Sequence, residues 1–147
     1  MKVGIASDHQ GFNVKEALKK YLKSEDYSVT DFGPESDNAT DYPQYAFTAG
    51  EKVASLEVDL VILICSTGIG MSIAANKVKG VRCAKVDNMR EAVLAKTHNN
   101  ANAVAFSSEL GAGKIRKFLD VFLASEYRFE ERHNRRLEAI AKYEDEH

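Results

Sequence analysis

The chain is predicted to fold as one doubly wound α/β domain over residues 1–147: a Rossmann-like, five-stranded parallel sheet in a three-layer α/β/α sandwich, with an extra C-terminal helix. Three observations predict it. Strand patterns alternate with amphipathic helix patterns along the whole chain. The run Leu60-Val61-Ile62-Leu63-Ile64-Cys65 is apolar at every position, as in a central parallel strand buried on both faces. A length of 147 residues suffices for one real core and not comfortably for two.

Residues 2–6 read as the first strand. Val14, Ala17, Leu18, Tyr21 and Leu22 then recur at helical spacing. Residues 27–32 form the second strand, closed by Gly33-Pro34. A polar loop leads to Asp41-Tyr42-Pro43, where Asp41 or Tyr42 caps a helix whose first turn suits Pro43 and which runs to about Ser55. The central strand, 58–65, follows, then a helix from about Gly70 to Lys77 and a shorter strand from Val81 to Val86. Asn88, with Glu91 three residues on, suggests a capping box for a helix ending near Thr97. After His98-Asn99-Asn100-Ala101-Asn102 comes a strand at 103–106, and Ile115, Phe118, Leu119, Phe122 and Leu123 mark the next helix. The tail from about Glu130 to Tyr143 reads as a charged helix with Leu137, Ile140 and Ala141 as a narrow apolar face. With no strand left to cover, it should pack across the domain or onto a second subunit.

Composition is ordinary for a globular protein, and a net charge of -2 gives no general attraction to nucleic acid or membrane. No stretch approaches the roughly 18 apolar residues of a membrane span. The opening Met1-Lys2-Val3-Gly4-Ile5-Ala6 enters a strand directly, unlike a secretory leader. Cys65 and Cys83 make no disulfide framework, and neither has metal-ligand spacing to a second Cys or His. The expectation is a cytoplasmic protein with no metal and no cofactor.

Ligands of doubly wound sheets bind beyond the carboxyl ends of the strands. That edge gathers Asp8 and His9, the turn Cys65-Ser66-Thr67-Gly68-Ile69-Gly70, and Asp87. The turn offers a thiol beside free backbone N–H groups, an amide cradle suited to anions, and Thr67 is placed to hydrogen-bond the sulfur. Otherwise Cys65 is a small residue closing a strand. Three familiar anion sites are excluded: position 71 is Met71 where a cysteine phosphatase loop needs Arg, Ile73 stands where a dinucleotide fingerprint needs its third Gly, and no Gly-Lys-Ser/Thr occurs. His98, just past a helix, is either a cationic cap or the best available general acid. Arg132 and Arg136 share one helical face and could clamp a phosphate, although Glu130, Glu131 and Glu138 could equally pair them. The acids neutralise this run and no aromatic platform accompanies it, which argues against nucleic acid.

Together these residues resemble the ribose-5-phosphate isomerase B family, which includes the galactose-6-phosphate isomerase subunits. The resemblance spans essentially the whole chain. It is carried by Ser7-Asp8-His9 with Gly11-Phe12, by Asp41-Tyr42-Pro43, and by the run from Cys65 through Ser72-Ile73-Ala74-Ala75-Asn76-Lys77. His98-Asn99-Asn100-Ala101-Asn102 and Arg132-His133 with Arg136 complete it. The resemblance implies an aldose–ketose sugar-phosphate isomerase that needs no metal or cofactor. Cys65 would be the base that moves a proton between C2 and C1 through a cis-enediolate, assisted by Thr67. Ser66, Gly68, Ile69 and Gly70 would supply the amide cradle, with Tyr42 also lining the substrate. His98 would help open the furanose ring, Asp8 and Asn99 would bind hydroxyls, and His9, Arg132 and Arg136 would hold the phosphate. It also implies a homodimer with sites shared between subunits, which could pair into a tetramer.

Two departures from the family pattern stand out. Glu109 occupies a position where many members carry a phosphate-binding Arg, and Glu130-Glu131 replace a Gly-Gly before Arg132. Retention of Cys65 argues against the galactose-6-phosphate subunit type that lacks the thiol. The leading expectation is interconversion of ribose 5-phosphate and ribulose 5-phosphate. The alternatives are a six-carbon sugar 6-phosphate (allose or galactose) as substrate, or a non-catalytic sugar-phosphate-binding partner subunit. Cys83, flanked by Arg82 and Ala84 in mid-strand, reads as structural.

Overall fold

Strands and helices alternate as predicted in the computed structural model, which describes residues 1–147. The order is β1 (Lys2–Ser7), α1 (Phe12–Ser24), β2 (Ser28–Asp31), α2 (Pro43–Ala54), β3 (Leu60–Cys65), α3 (Ile69–Ala75), β4 (Cys83–Lys85), α4 (Met89–Thr97) and β5 (Ala103–Ser107). A 3-10 turn at Ser108–Leu110, α5 (Ala112–Ala124) and α6 (Glu131–Glu146) complete the chain. Both β2 and β4 are shorter than predicted, because each is an edge strand with a partner on one side only. The cap at Asn88 forms as expected: its Oδ1 accepts from Glu91 N–H at 2.8 Å. Glu91 reaches back one residue further than a capping box requires, accepting from Asp87 N–H at 2.7 Å.

All strand pairs are parallel, in the order β2-β1-β3-β5-β4. Right-handed crossovers then dictate which face each helix covers. The connections β1–β2 and β4–β5 step one way along the sheet, and β2–β3 and β3–β4 step the other. Accordingly α1 and α4, joined by α5, pack on one face through Leu18, Leu22, Ala92, Ile115, Phe118, Leu119 and Phe122. On the opposite face α2 and α3 pack through Ala46, Ala49, Val53, Met71 and Ala75. The solid apolar run of β3 divides between the two: Leu60, Ile62 and Ile64 to the first layer, Val61, Leu63 and Cys65 to the second.

The free edge of β4 is closed by one side chain. Asn76 Nδ2 donates to Cys83 O at 2.9 Å, and Cys83 N–H donates to Asn76 Oδ1 at 2.8 Å, as a neighbouring strand would. At the other edge the fully buried Lys15 donates to both oxygens of Asp31, at 2.9 and 2.7 Å, and to Pro34 O at 2.7 Å. Burial opposes ionisation of Asp31, but Lys15, Lys19 and the Gly33 N–H outweigh it and hold this carboxyl below its ordinary range. Helix α6 lies beside β4, tied by Gly80 N–H to Glu144 Oε2 at 3.0 Å and by Lys79 to Asp145 at 2.7 Å. Its apolar stripe is only partly covered, with Leu137 half-buried and Ile140 48% exposed.

Candidate active site

The connection out of β1 turns towards β2 and the connection out of β3 turns the opposite way, so a crevice opens beyond the carboxyl ends of this central pair. Asp8 follows β1 there. Its N–H continues the ladder to Ile64 O at 3.1 Å, and its Oδ1 accepts from Gly11 N–H at 2.9 Å. Gly11 has no room for a side chain, since a Cβ would lie 2.7 Å from Ile64 O. The His9 ring reaches the loop before α2, with Nδ1 3.0 Å from Thr40 O and 3.2 Å from Thr40 N.

Cys65 ends β3 and is buried, 4% exposed. Its Sγ accepts a hydrogen bond from Gly68 N–H at 3.2 Å. That contact requires the left-handed backbone of Gly68, φ +78°, and its close approach to β5, where a Cβ would stand 2.9 Å from the Phe106 carbonyl carbon. The expected Thr67–sulfur bond is not made: Thr67 Oγ1 instead accepts from Ile69 N–H at 3.1 Å, because the Gly68 amide already faces the sulfur. The N–H groups of Ser66, Thr67 and Gly70 make no hydrogen bond within the chain. Ser107 Oγ donates to Ser66 O at 2.6 Å and fixes the turn to β5. The Tyr42 ring lies against Gly70, where a Cβ would come within 2.4 Å of it.

His98, Asn99, Arg132 and Arg136 lie at the other end of the sheet. Helix α4 starts beyond the carboxyl end of β4 and runs back to the amino end of β5, leaving His98 as its C-cap. Ala103 pairs with Val61 and Ser107 with Cys65, so four residues of strand, roughly 13 Å, separate the two levels before His98 is reached. His98 stacks on His133, with ring centroids 4.3 Å apart and 27° between planes. Arg132 Nε is 3.0 Å from Glu130 Oε2 and Arg135 Nη1 is 2.7 Å from Glu131 Oε2, whereas Arg136 has no ion-pair partner. Asn99 is exposed and lines a cleft between β4 and α6 with Cys83, Leu137 and Ile140.

One chain therefore holds two separate sets. Asp8, His9, Tyr42, Cys65, Ser66, Thr67, Gly68, Ile69 and Gly70 gather at the carboxyl edge. His98, Asn99, Arg132 and Arg136 gather at the amino side. Asp87 joins neither, being separated from β3 by β5 and paired with Lys85 at 2.6 Å. Glu109 sits on the turn after β5, exposed, at the carboxyl edge. No cleft of the single chain is lined by Cys65; the larger ones lie beside Asp31–Pro34 and along α6. Sequence reasoning quoted His133 only within the Arg132-His133 motif and gave neither it nor Ser107 a role, because their contacts join segments 35 and 41 residues apart and leave no local pattern.

A family model described as ribose/galactose isomerase matches residues 3–140. The chain is 42% identical over 147 residues to a putative sugar phosphate isomerase, YwlF, of Bacillus subtilis, covering 99% of this chain and 98% of that protein. Ribose-5-phosphate isomerase B of Clostridium thermocellum superposes with a TM-score of 0.96 at 39% identity, covering 99% of both chains. Ribose-5-phosphate isomerase B of Mycoplasma genitalium, solved with bound ribulose 5-phosphate, superposes with a TM-score of 0.94 at 41% identity, covering 99% of this chain and 97% of that one.

Proposed function

The chain belongs to the ribose/galactose isomerase family, and on that premise we propose that it interconverts ribose 5-phosphate and ribulose 5-phosphate, acting as a homodimer with shared sites. The aldose–ketose activity has the support of relatives matched over nearly the full length. The observation that carries the chemistry is Cys65 at the sheet's switch point, facing an amide and flanked by free N–H groups.

In this reading a proton leaves C2 of the open-chain aldose for the Cys65 sulfur and returns at C1, while the hydroxyl proton passes from O2 to O1. The intermediate is an enediolate, whose oxygens would be met by the free amides of Ser66, Thr67 and Gly70. A preorganised donor at developing oxyanion charge is worth on the order of 3 kcal/mol. Thr67, exposed in the same turn, would assist the transfer. His98 would donate to the ring oxygen during furanose opening, a step that exposes the acidic C2 proton. A positioned acid or base contributes roughly 10²–10⁴-fold. Asp8 and Asn99 would bind hydroxyls, His9 and the unpaired Arg136 would bind phosphate, and Arg132 would join them on leaving Glu130. Tyr42, Gly68 and Ile69 would form the wall.

The shared site follows from the separation of the two sets. The Cys65 edge has a base and a cradle without an imidazole acid of its own beyond His9, and the α4–α6 side has an acid and guanidinium groups without a base. Pairing the carboxyl edge of one copy with the His98 side of another would complete both, twice over, in an isologous dimer. Residues 1–147 would act as a single isomerase domain. A cytoplasmic location fits two free thiols, and no helix is long and apolar enough to cross a membrane.

Purified chain supplied with ribose 5-phosphate and with six-carbon aldose 6-phosphates, followed by ketose absorbance, tests the assignment. The expected result is the highest kcat/KM on ribose 5-phosphate. A preference for a six-carbon substrate would overturn the sugar assignment, and no ketose from any of them would overturn the activity.

A further inference from the structure

We propose that His133 is a positioning residue for His98, holding the acid's imidazole in place by a near-parallel stack. The inference rests on the assignment of His98 as the acid for ring opening. The His98 ring makes no hydrogen bond within the chain and stands at the C-terminal end of α4. Its directional contact is the His133 face, 4.3 Å away and tilted by 27°.

His133 is itself held firmly. It is 3% exposed, and its Nε2 has no hydrogen-bond partner, the nearest acid being Glu130 Oε2 at 3.6 Å. Behind it the Tyr127 ring stands 6.5 Å off, with its hydroxyl donating to Asn134 Oδ1 at 2.8 Å. Asn134 Nδ2 donates to Phe129 O at 3.1 Å, and Arg128 N–H donates to Thr97 O at 3.1 Å, which ties the approach to α6 directly to the end of α4. The two rings thus belong to segments that cannot drift apart independently.

Burial lowers the pKa of His133, and the positive charges of Arg132, His98 and Arg136 lower it further, against the pull of Glu130. A neutral flat ring can remain stacked while His98 carries a proton; two imidazolium ions at this distance would repel. An unpartnered buried nitrogen is costly for stability alone. With no hydrogen bond made by Nε2, what His133 offers its neighbour is the flat face of its ring.

The test is a kinetic cycle on ribose 5-phosphate with His98→Ala, His133→Ala, His133→Phe and the double alanine variant, each checked by circular dichroism. His133→Ala should lower kcat by about tenfold or more, a part of the acid's roughly 10²–10⁴-fold contribution, with KM little changed. His133→Phe keeps a flat face and should stay within about threefold of wild type. In the His98→Ala background the second alanine should have no further effect. A double variant that falls below His98→Ala by the full single-variant factor would mean a purely structural role. Full kcat in His133→Ala, or a phenylalanine variant as slow as the alanine one, would overturn the stack. Full kcat in His98→Ala would remove the role of His98 itself, and the positioning with it.

Discussion

Gly68 N–H points at the Cys65 sulfur from 3.2 Å, across a turn only three residues long. The bond exists because three conditions meet at one place. Strand β3 ends at Cys65, Gly68 takes a left-handed backbone, and the absence of a Cβ there lets the turn settle against Phe106 of the neighbouring strand. The sulfur is thereby held against the same short turn that carries the free amides of Ser66, Thr67 and Gly70.

Gly68→Ala should therefore damage both stability and rate. A left-handed backbone costs a non-glycine residue about 1–2 kcal/mol. Overpacking against the Phe106 backbone adds typically another ~1–3 kcal/mol. Urea unfolding should report the sum, and kcat should fall further than the lost folded fraction explains. A variant with wild-type midpoint and kcat would show that the turn tolerates a side chain the geometry forbids.

The two thiols should separate cleanly. Cys65→Ala should lose on the order of 10²–10⁴ in kcat while keeping its fold. Cys83→Ala should be nearly silent. Burial pushes the Cys83 thiol up to about 12, with Ser72 acting weakly the other way, so it carries no thiolate anywhere near neutral pH. Comparable loss of turnover in both variants would refute the assignment of Cys65 as the base.

The fold was legible because its signals are local and periodic. The apolar run at Leu60–Cys65, the stripe from Val14 to Leu22 and the Asn88–Glu91 pair each declare an element without reference to the rest of the chain. Edge-strand lengths were less legible, since they depend on how far a partner extends. The Cys65 turn could be read as an amide cradle, but the sulfur's actual donor could not: Gly68 and Thr67 are both within reach in sequence, and the backbone angle at Gly68 decides. Least legible was the split of the site residues into two sets. Chain order places His98 only 33 residues after Cys65, yet α4 carries it back to the opposite end of the sheet.

That split makes a prediction for mixed subunits. Cys65→Ala and His98→Ala proteins, each nearly inactive, should regain activity when unfolded together and refolded. Random pairing makes half of the dimers mixed. Each mixed dimer holds one site with both native groups and one with neither, which gives about a quarter of wild-type activity. Turnover no greater than the average of the two parents would mean that the groups act within one chain or do not act together.

The last prediction concerns the Lys15–Asp31 pair, which secures β2 to α1. Asp31 ionises more readily in the folded chain than in the unfolded one, so its contribution is fully present above the ordinary carboxylate pKa of about 3.9. That contribution is lost as pH falls through this value towards the lower, folded one. Asp31→Asn removes the countercharge from a fully buried ammonium, and breaking a buried pair costs about 3–5 kcal/mol. The lower end applies here, because Asp31 is partly exposed and Glu16 remains 3.3 Å from the Lys15 Nζ. Urea unfolding at pH 7 should show the full difference from wild type. Near pH 3 the difference should shrink, since a protonated Asp31 resembles the asparagine that replaced it. A gap of equal size at both pH values would mean that the side chain's shape, and not its charge, secures this edge of the sheet.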